Sequence, residues 1–167
     1  NQESISDLII VGAGTSGLAC AIAAAEAGSS VCLIEKDSEI GGTLHLSAGQ
    51  MSAASTRRQK ALGVEDSPEE HFSEVMRIGH EKNDPSIVRI AVEGAPKTLD
   101  WLDDLGFPFP DEMPIIYYGH EAYSKPRTAW GPEMGVSILL ANINNRQRLF
   151  GNRLSIFHMR GYGLVVS

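Results

Sequence analysis

Three consecutive features predict an α/β fold with a Rossmann-like βαβ core: an apolar run entering a Gly-x-Gly-x-x-Gly turn, an Ala-rich segment, and a second apolar run ending in an acid. The first run, Leu8–Val11, is continuous rather than alternating, as expected of a parallel strand covered on both faces. Gly12, Gly14 and Gly17 follow it directly. Ser16 to Ala27 is rich in Ala and Leu, both strong helix formers, and Gly28 stands where a helix stops. Ser30–Glu35 (SVCLIE) is the second strand, and the crossover that joins two parallel strands is right-handed.

Beyond the core, Lys36 to Thr56 is small and polar and reads as a loop with short irregular pieces. Ser67-Pro68-Glu69-Glu70 is a helix start: Ser as cap, Pro in the first turn, Glu three residues after the cap. That helix is expected to reach His80. Asp84-Pro85 opens another, expected to break at Gly94-Ala95 because Pro96 has no amide hydrogen for the helix ladder. A further helix then runs from Pro96 to Leu105, with Trp101, Leu102 and Leu105 as its core positions and Gly106 closing it. Phe107 to Pro114 is extended loop, and 115–133 is irregular and aromatic. Val136 to Leu149 forms a weakly amphipathic helix. Leu154–Phe157 and Gly163–Val166 are short strands that extend the first sheet or start a second. The domain division is therefore 1–56 for the βαβ core and its loop, 57–134 for a helical insertion and aromatic loop, and 135–167 for a helix and strands returning to the core.

The 167 residues are enough to bury a substantial core, and 43% hydrophobic with 21% charged residues is ordinary globular composition. A formal net charge of −7 argues against a nucleic-acid partner. No apolar run approaches the roughly 20 residues of a membrane span. The opening NQESIS lacks the basic and apolar regions of a signal peptide, so the expected location is cytoplasmic. Cys20 and Cys32 read as free thiols serving as small buried apolar residues in a reducing compartment.

The chemistry is concentrated in the glycine turn. Gly12 permits the tight turn, Gly14 lets a pyrophosphate approach the backbone, and Gly17 lets helix and strand pack closely. The helix N-terminus presents unpaired N–H groups and a positive dipole end to phosphate. Glu35, at the end of the second strand, accepts from an adenosine ribose hydroxyl and repels a 2′-phosphate, which argues against NADP. A second pair, Gly41-Gly42 before Thr43, brings another stretch of backbone against the same cofactor. Together with the small-residue stretch SAGQMSAAS, this favours FAD over the shorter NAD.

IIVGAGTSGLACAIAAAEAG, LIEKDSEIGGT, LSAGQMSAAST and the helical LDWLDDLGFPF together resemble the N-terminal FAD-binding part of the fumarate reductase/succinate dehydrogenase flavoprotein family. Its soluble branch includes fumarate and urocanate reductases, 3-ketosteroid dehydrogenases and tricarballylate dehydrogenase. The resemblance covers roughly residues 7–140. It implies FAD contacts at Ala13, Gly14 and Ser16 by the pyrophosphate, and at Glu35 and Lys36 by the adenosine. It also implies contacts at Gly42 and Thr43 by the middle of the cofactor, and at Ser47, Ala48, Gly49 and Gln50 by the flavin ring. His45 lies slightly past the position at which some members attach FAD covalently. The family continues for several hundred residues into a capping domain that carries most substrate-binding His and Arg residues, and this chain stops before it. The implied activity is FAD-dependent oxidoreduction: hydride moves between the flavin and a carbon adjacent to a carbonyl or carboxylate, forming or reducing a C=C bond.

Outside that core, Tyr117 to Pro132 sets aromatics beside His120 and Arg127, which either line the substrate face, with Arg127 clamping a carboxylate, or belong to an aromatic-anchored loop. His71 and His80 lie nine residues apart, the wrong spacing for one metal site, and read as solvated helix faces; no metal is expected. Asp100, Asp103 and Asp104 read as a hydrated acidic face. A small-molecule substrate is implied, with a second polypeptide or a missing C-terminal part to complete the site. The alternatives are a flavin-binding module or truncated subunit without activity of its own, and an NAD-dependent dehydrogenase, which the second glycine pair disfavours.

Overall fold

The computed structural model describes residues 5–119, 122–138 and 154–158. These divide into two compact units, one holding the chain up to Ser47 and again from Ile138, the other spanning Ala48–Ser137.

The first unit is a parallel sheet with a helix on it. Strands β1 (Leu8–Val11) and β2 (Val31–Glu35) are joined by helix α1 (Thr15–Glu26). The late strand that the sequence shows at residue 154, here β5 (Leu154–His158), extends this sheet, giving the order β1-β2-β5 with every pairing parallel. Helix α1 packs on the face bearing Val31 and Leu33, which are fully buried, through Leu18, Ala21, Ile22 and Ala25. That i, i+3, i+4, i+7 spacing forms one helical stripe. Cys20 falls off the stripe and is exposed, contrary to its expected burial, and both cysteines are free.

The expectation that β1 is covered on both faces does not hold. Ile9 is 58% and Val11 66% exposed, and their partners across the ladder, Cys32 and Ile34, are only half-buried. Among the described residues nothing covers that face of the sheet, an arrangement that parallel sheets almost never keep.

The second unit is helical with a two-stranded antiparallel ribbon, β3 (Met51–Ser52) with β4 (Thr128–Ala129). Helix α2 (Arg57–Ala61) is absent from the sequence reading, although Thr56 and Gln59 form a complete capping box and both are buried. Helix α3 (Pro68–Ile78) starts as expected, the Ser67 hydroxyl accepting from the Glu70 N–H. Helix α4 (Pro85–Asp104) corrects the expected break, because it runs without interruption through Pro96. Val92, Leu99 and Leu102 are buried along one face of α4, on both sides of the proline, so burial holds a single helix where the local backbone preference would divide it. The Thr98 hydroxyl donates to the Gly94 carbonyl, a bond that spans the proline. Gly106 (φ +77°) ends α4, followed by a core of Phe107, Phe109 and Met113.

The acidic face of α4 also departs from expectation. Arg57 pairs with Asp100 and Asp104, and Arg58 with Asp103, so these carboxylates dock α2 rather than face only water. Residues 135–138 are helical, and the rest of the expected 136–149 helix, like the expected strand at 163–166, lies outside the described residues.

Candidate functional site

In the first unit, the turn between β1 and α1 is held from three directions. Gly12, at φ +97°, occupies the left-handed region that favours glycine, and its N–H donates to the Ile34 carbonyl at 2.7 Å. The Ala13 N–H donates to Glu35 Oε2 at 2.7 Å, and the Ala13 carbonyl accepts from the Gly41 N–H at 2.8 Å. Both glycine stretches and the acid at the end of β2 are thus laced through one residue. Ala13 is fully buried with both backbone groups engaged, so it does not offer the pyrophosphate contact expected of it; it fixes the turn instead.

Gly14 caps α1 in extended geometry, with φ −77° and ψ −170°, and makes no side-chain cap bond. The first N–H groups of a helix have no intrahelical partner. No acidic residue occupies the first turn of α1, so nothing in the helix neutralises the positive end of its dipole. A β-carbon built on Gly14 meets nothing within 4 Å. Open space lies beside unpaired amides, and this is the geometry a diphosphate requires. Gly17 is different in kind. A β-carbon there would sit 1.9 Å from the Gly12 carbonyl oxygen, so its absence lets the helix meet the turn. Ser16 is exposed in the first turn.

The second glycine pair lies beside the first, with the β-carbon position of Gly42 3.6 Å from the Gly14 Cα. Gly42 and Thr43 are exposed and open a single 3-10 turn (Gly42–His45). Glu35 is buried. The Asp37 N–H, at 2.9 Å, holds its carboxyl below the usual carboxylate range, aided by the Ala13 N–H and opposed by burial. It is ionised at neutral pH. Each carboxylate oxygen accepts backbone N–H bonds, with Lys36 contributing beside Asp37 and Ala13, and lone-pair capacity remains for a hydroxyl donor. Lys36, beside it, is exposed. His45 donates from Nε2 to the Ile40 carbonyl at 2.8 Å. A carbonyl only accepts, so that nitrogen carries the hydrogen. Ser47 is exposed.

In the second unit, Ala48 and Gln50 are exposed ahead of β3, whereas Gly49 is buried. A β-carbon on Gly49 would lie 2.5 Å from the Gly135 nitrogen, so internal packing accounts for that glycine. Arg127 does not stand free as a carboxylate clamp. Its side chain is fully buried and forks onto both oxygens of Asp66 at 2.7 Å, with Glu74 3.0 Å from the third nitrogen. A bidentate pair of this kind consumes the planar face a substrate carboxylate would need. His120 lies outside the described residues. His71 is buried, not solvated, while His80 is exposed, and the two do not meet. Among the described residues no His, Cys, Asp or Glu group could hold a metal ion, and no helix is long and apolar enough to cross a membrane.

The sequence reading missed two structural members of the cradle, the N–H groups of Gly41 and Asp37. The G-G pair signals the first; nothing local signals the second.

The FAD binding domain family matches residues 7–147. An NADH:fumarate oxidoreductase of Klebsiella pneumoniae (strain 342) is 45% identical over 144 residues, which cover 84% of this chain and 15% of that protein. A fumarate reductase (cytochrome) of Shewanella frigidimarina is 40% identical over 105 residues, 63% of this chain and 18% of that one. Among solved structures, the open conformation of a flavocytochrome c3 fumarate reductase superposes with a TM-score of 0.73 at 30% identity, covering 90% of this chain and 26% of that chain. The chain therefore spans less than a fifth of the length of these two curated relatives.

Proposed function

Because the chain belongs to the FAD binding domain family, we propose that it forms the FAD-holding part of a fumarate reductase-like oxidoreductase. The reaction moves hydride to or from a carbon adjacent to a carbonyl or carboxylate, with formation or reduction of a C=C bond. The observation that carries this reading is the side-chain-free space at Gly14 against the uncapped, acid-free start of α1, with ionised Glu35 and Gly42 tied into the same turn.

The residues divide the work along the cofactor. Gly14 and Ser16 meet the pyrophosphate through backbone N–H groups at the positive end of α1. Glu35 accepts from the adenosine ribose and, being ionised, repels a 2′-phosphate, while Lys36 lies at the same end. Gly42 and Thr43 hold the middle of the cofactor, and Ser47, Ala48 and Gln50 approach the ring. His45 is tied to the Ile40 carbonyl, which supports a flavin held without a covalent bond. When bound, FAD supplies the hydride exchange itself; the protein contributes position and electrostatics.

The substrate groups come from outside the described residues. Arg127 is committed to Asp66. A substrate must also be held against the flavin with a proton donor and with water excluded. The open face of the sheet at Ile9 and Val11 supports the same conclusion, since polypeptide from outside the described residues is needed to cover it.

The test is direct. The purified chain, mixed with FAD and desalted, keeps a stoichiometric yellow chromophore that acid precipitation releases into the supernatant. A colourless protein with no measurable affinity for FAD overturns the reading. Colour retained in the acid pellet overturns non-covalent binding while leaving the cradle intact.

A further inference from the structure

The second unit holds a cavity that the flavin reading does not use. It lies between α3 and α4, has a volume of about 260 Å³, and is walled by Val75, Val88, Ala91, Val92 and Ala95. His71, Tyr123 and Ser52 form its polar end. His71 is only 3% exposed, yet its ring makes no hydrogen bond and its Nδ1 is sealed away without a partner. Buried polar atoms are almost always satisfied, and one that is not calls for an explanation.

The tautomer follows from burial. An orphaned buried N–H is rarer than an under-satisfied acceptor. Nδ1 therefore keeps a bare lone pair, and Nε2, the ring nitrogen not sealed, carries the hydrogen. The ring is fixed edge-on to Tyr123, at a centroid distance of 5.2 Å. Burial, reinforced by the nearby Arg127 guanidinium, pulls His71 down to about 4, so the ring is neutral near pH 7. A neutral donor at the end of an apolar pocket selects a neutral ligand with one acceptor.

We propose that this cleft binds a compact, mostly apolar molecule bearing a single carbonyl-type acceptor, which His71 Nε2–H meets while the α3 and α4 side chains enclose the hydrocarbon. An apolar cavity of roughly 150 Å³ holds one benzene. By that measure a cavity of about 260 Å³ takes a ligand of around ten heavy atoms. The near-complete burial of the histidine in that lining favours a small molecule over a flat protein surface.

Acetophenone and α-methylstyrene form a matched pair, of the same shape with and without the carbonyl oxygen. Calorimetric titration of the full chain is expected to show acetophenone binding about tenfold more tightly, the worth of one hydrogen bond. His71→Phe equalises the two ligands, and Ala95→Phe, which fills the cleft, abolishes both. In the unaltered protein, acetophenone shifts the His71 imidazole resonances and the styrene shifts them less. FAD affinity stays unchanged throughout, so this result and the flavin result stand or fall separately. Equal affinity of the two ligands, absence of binding by either, or acetophenone binding that survives Ala95→Phe overturns the proposal. If His71→Phe fails to fold, the resonance shifts decide: an unmoved His71 signal at saturating acetophenone refutes it.

Discussion

Substituting Gly14 by Ala separates the cradle from the fold. The backbone there is extended, at φ −77° and ψ −170°, a region any L-residue adopts, and the added methyl meets no protein atom within 4 Å. The folded chain should therefore tolerate it. The cost is the poorer helix-capping ability of Ala relative to Gly, about 0.5–1 kcal/mol, or a Tm lowered by roughly 1–4 °C. The same methyl stands in the open space beside the start of α1. Loss of one charge-assisted N–H to phosphate bond costs about 1.5–3 kcal/mol, which raises the FAD Kd by about tenfold to a hundredfold. Quenching of flavin fluorescence on titration gives the Kd, and circular dichroism of the apo chain gives the Tm. A variant with parental Tm and parental FAD affinity would refute the claim that the cofactor reaches the backbone at Gly14. A variant that fails to fold would refute the claim that the space there is empty.

Gly17→Ala should act on the fold instead, since its methyl would overlap the Gly12 carbonyl oxygen at 1.9 Å; apo stability should fall with or without FAD, by calorimetry. Arg127→Met leaves the buried Asp66 carboxylate without its partner and should cost about 3–5 kcal/mol, measured by urea unfolding. The double substitution with Asp66→Asn should recover part of that loss. Acid should destabilise the second unit early. His71 has an ordinary value of 6.5 and is held at about 4 when folded, so the unfolded chain binds the extra proton first. Stability is complete above pH 6.5 and declines as pH falls toward 4, by at most about 3 kcal/mol at roughly 1.4 per pKa unit. His71→Phe should flatten that part of the stability–pH curve; an unchanged slope would show that other groups set it. The carboxyls of Asp66 and Glu74, lowered against burial by the hydrogen bonds of Arg127 and Ser124 respectively, add losses of the same sign below their ordinary range. Glu35→Gln should weaken FAD binding by about tenfold and relax discrimination against a 2′-phosphorylated dinucleotide, read by competition with NADP.

What the sequence determined by itself is what neighbouring residues dictate. The strand–turn–helix–strand order, the left-handed Gly12, the Ser67 and Asp84 caps and the close of α4 at Gly106 rest on sterics and hydrogen bonds acting within a few positions. The same local rules, applied alone, divided α4 at Pro96, because they do not weigh the buried stripe of Val92, Leu99 and Leu102 that spans the proline. Tertiary structure decided everything that depends on distant partners. Arg127 is an ion-pair anchor because Asp66, 61 residues earlier, meets it with both side chains fully buried. His71 is neutral because it is buried at the lining of a cleft it shares with α4 residues and Tyr123. Ala13 is a fastening point because Glu35 and Gly41 arrive from two later segments. A side chain's type is written in the sequence, but its charge state, its free lone pairs and its accessibility are set by what packs against it, and long-range burial alone supplies that.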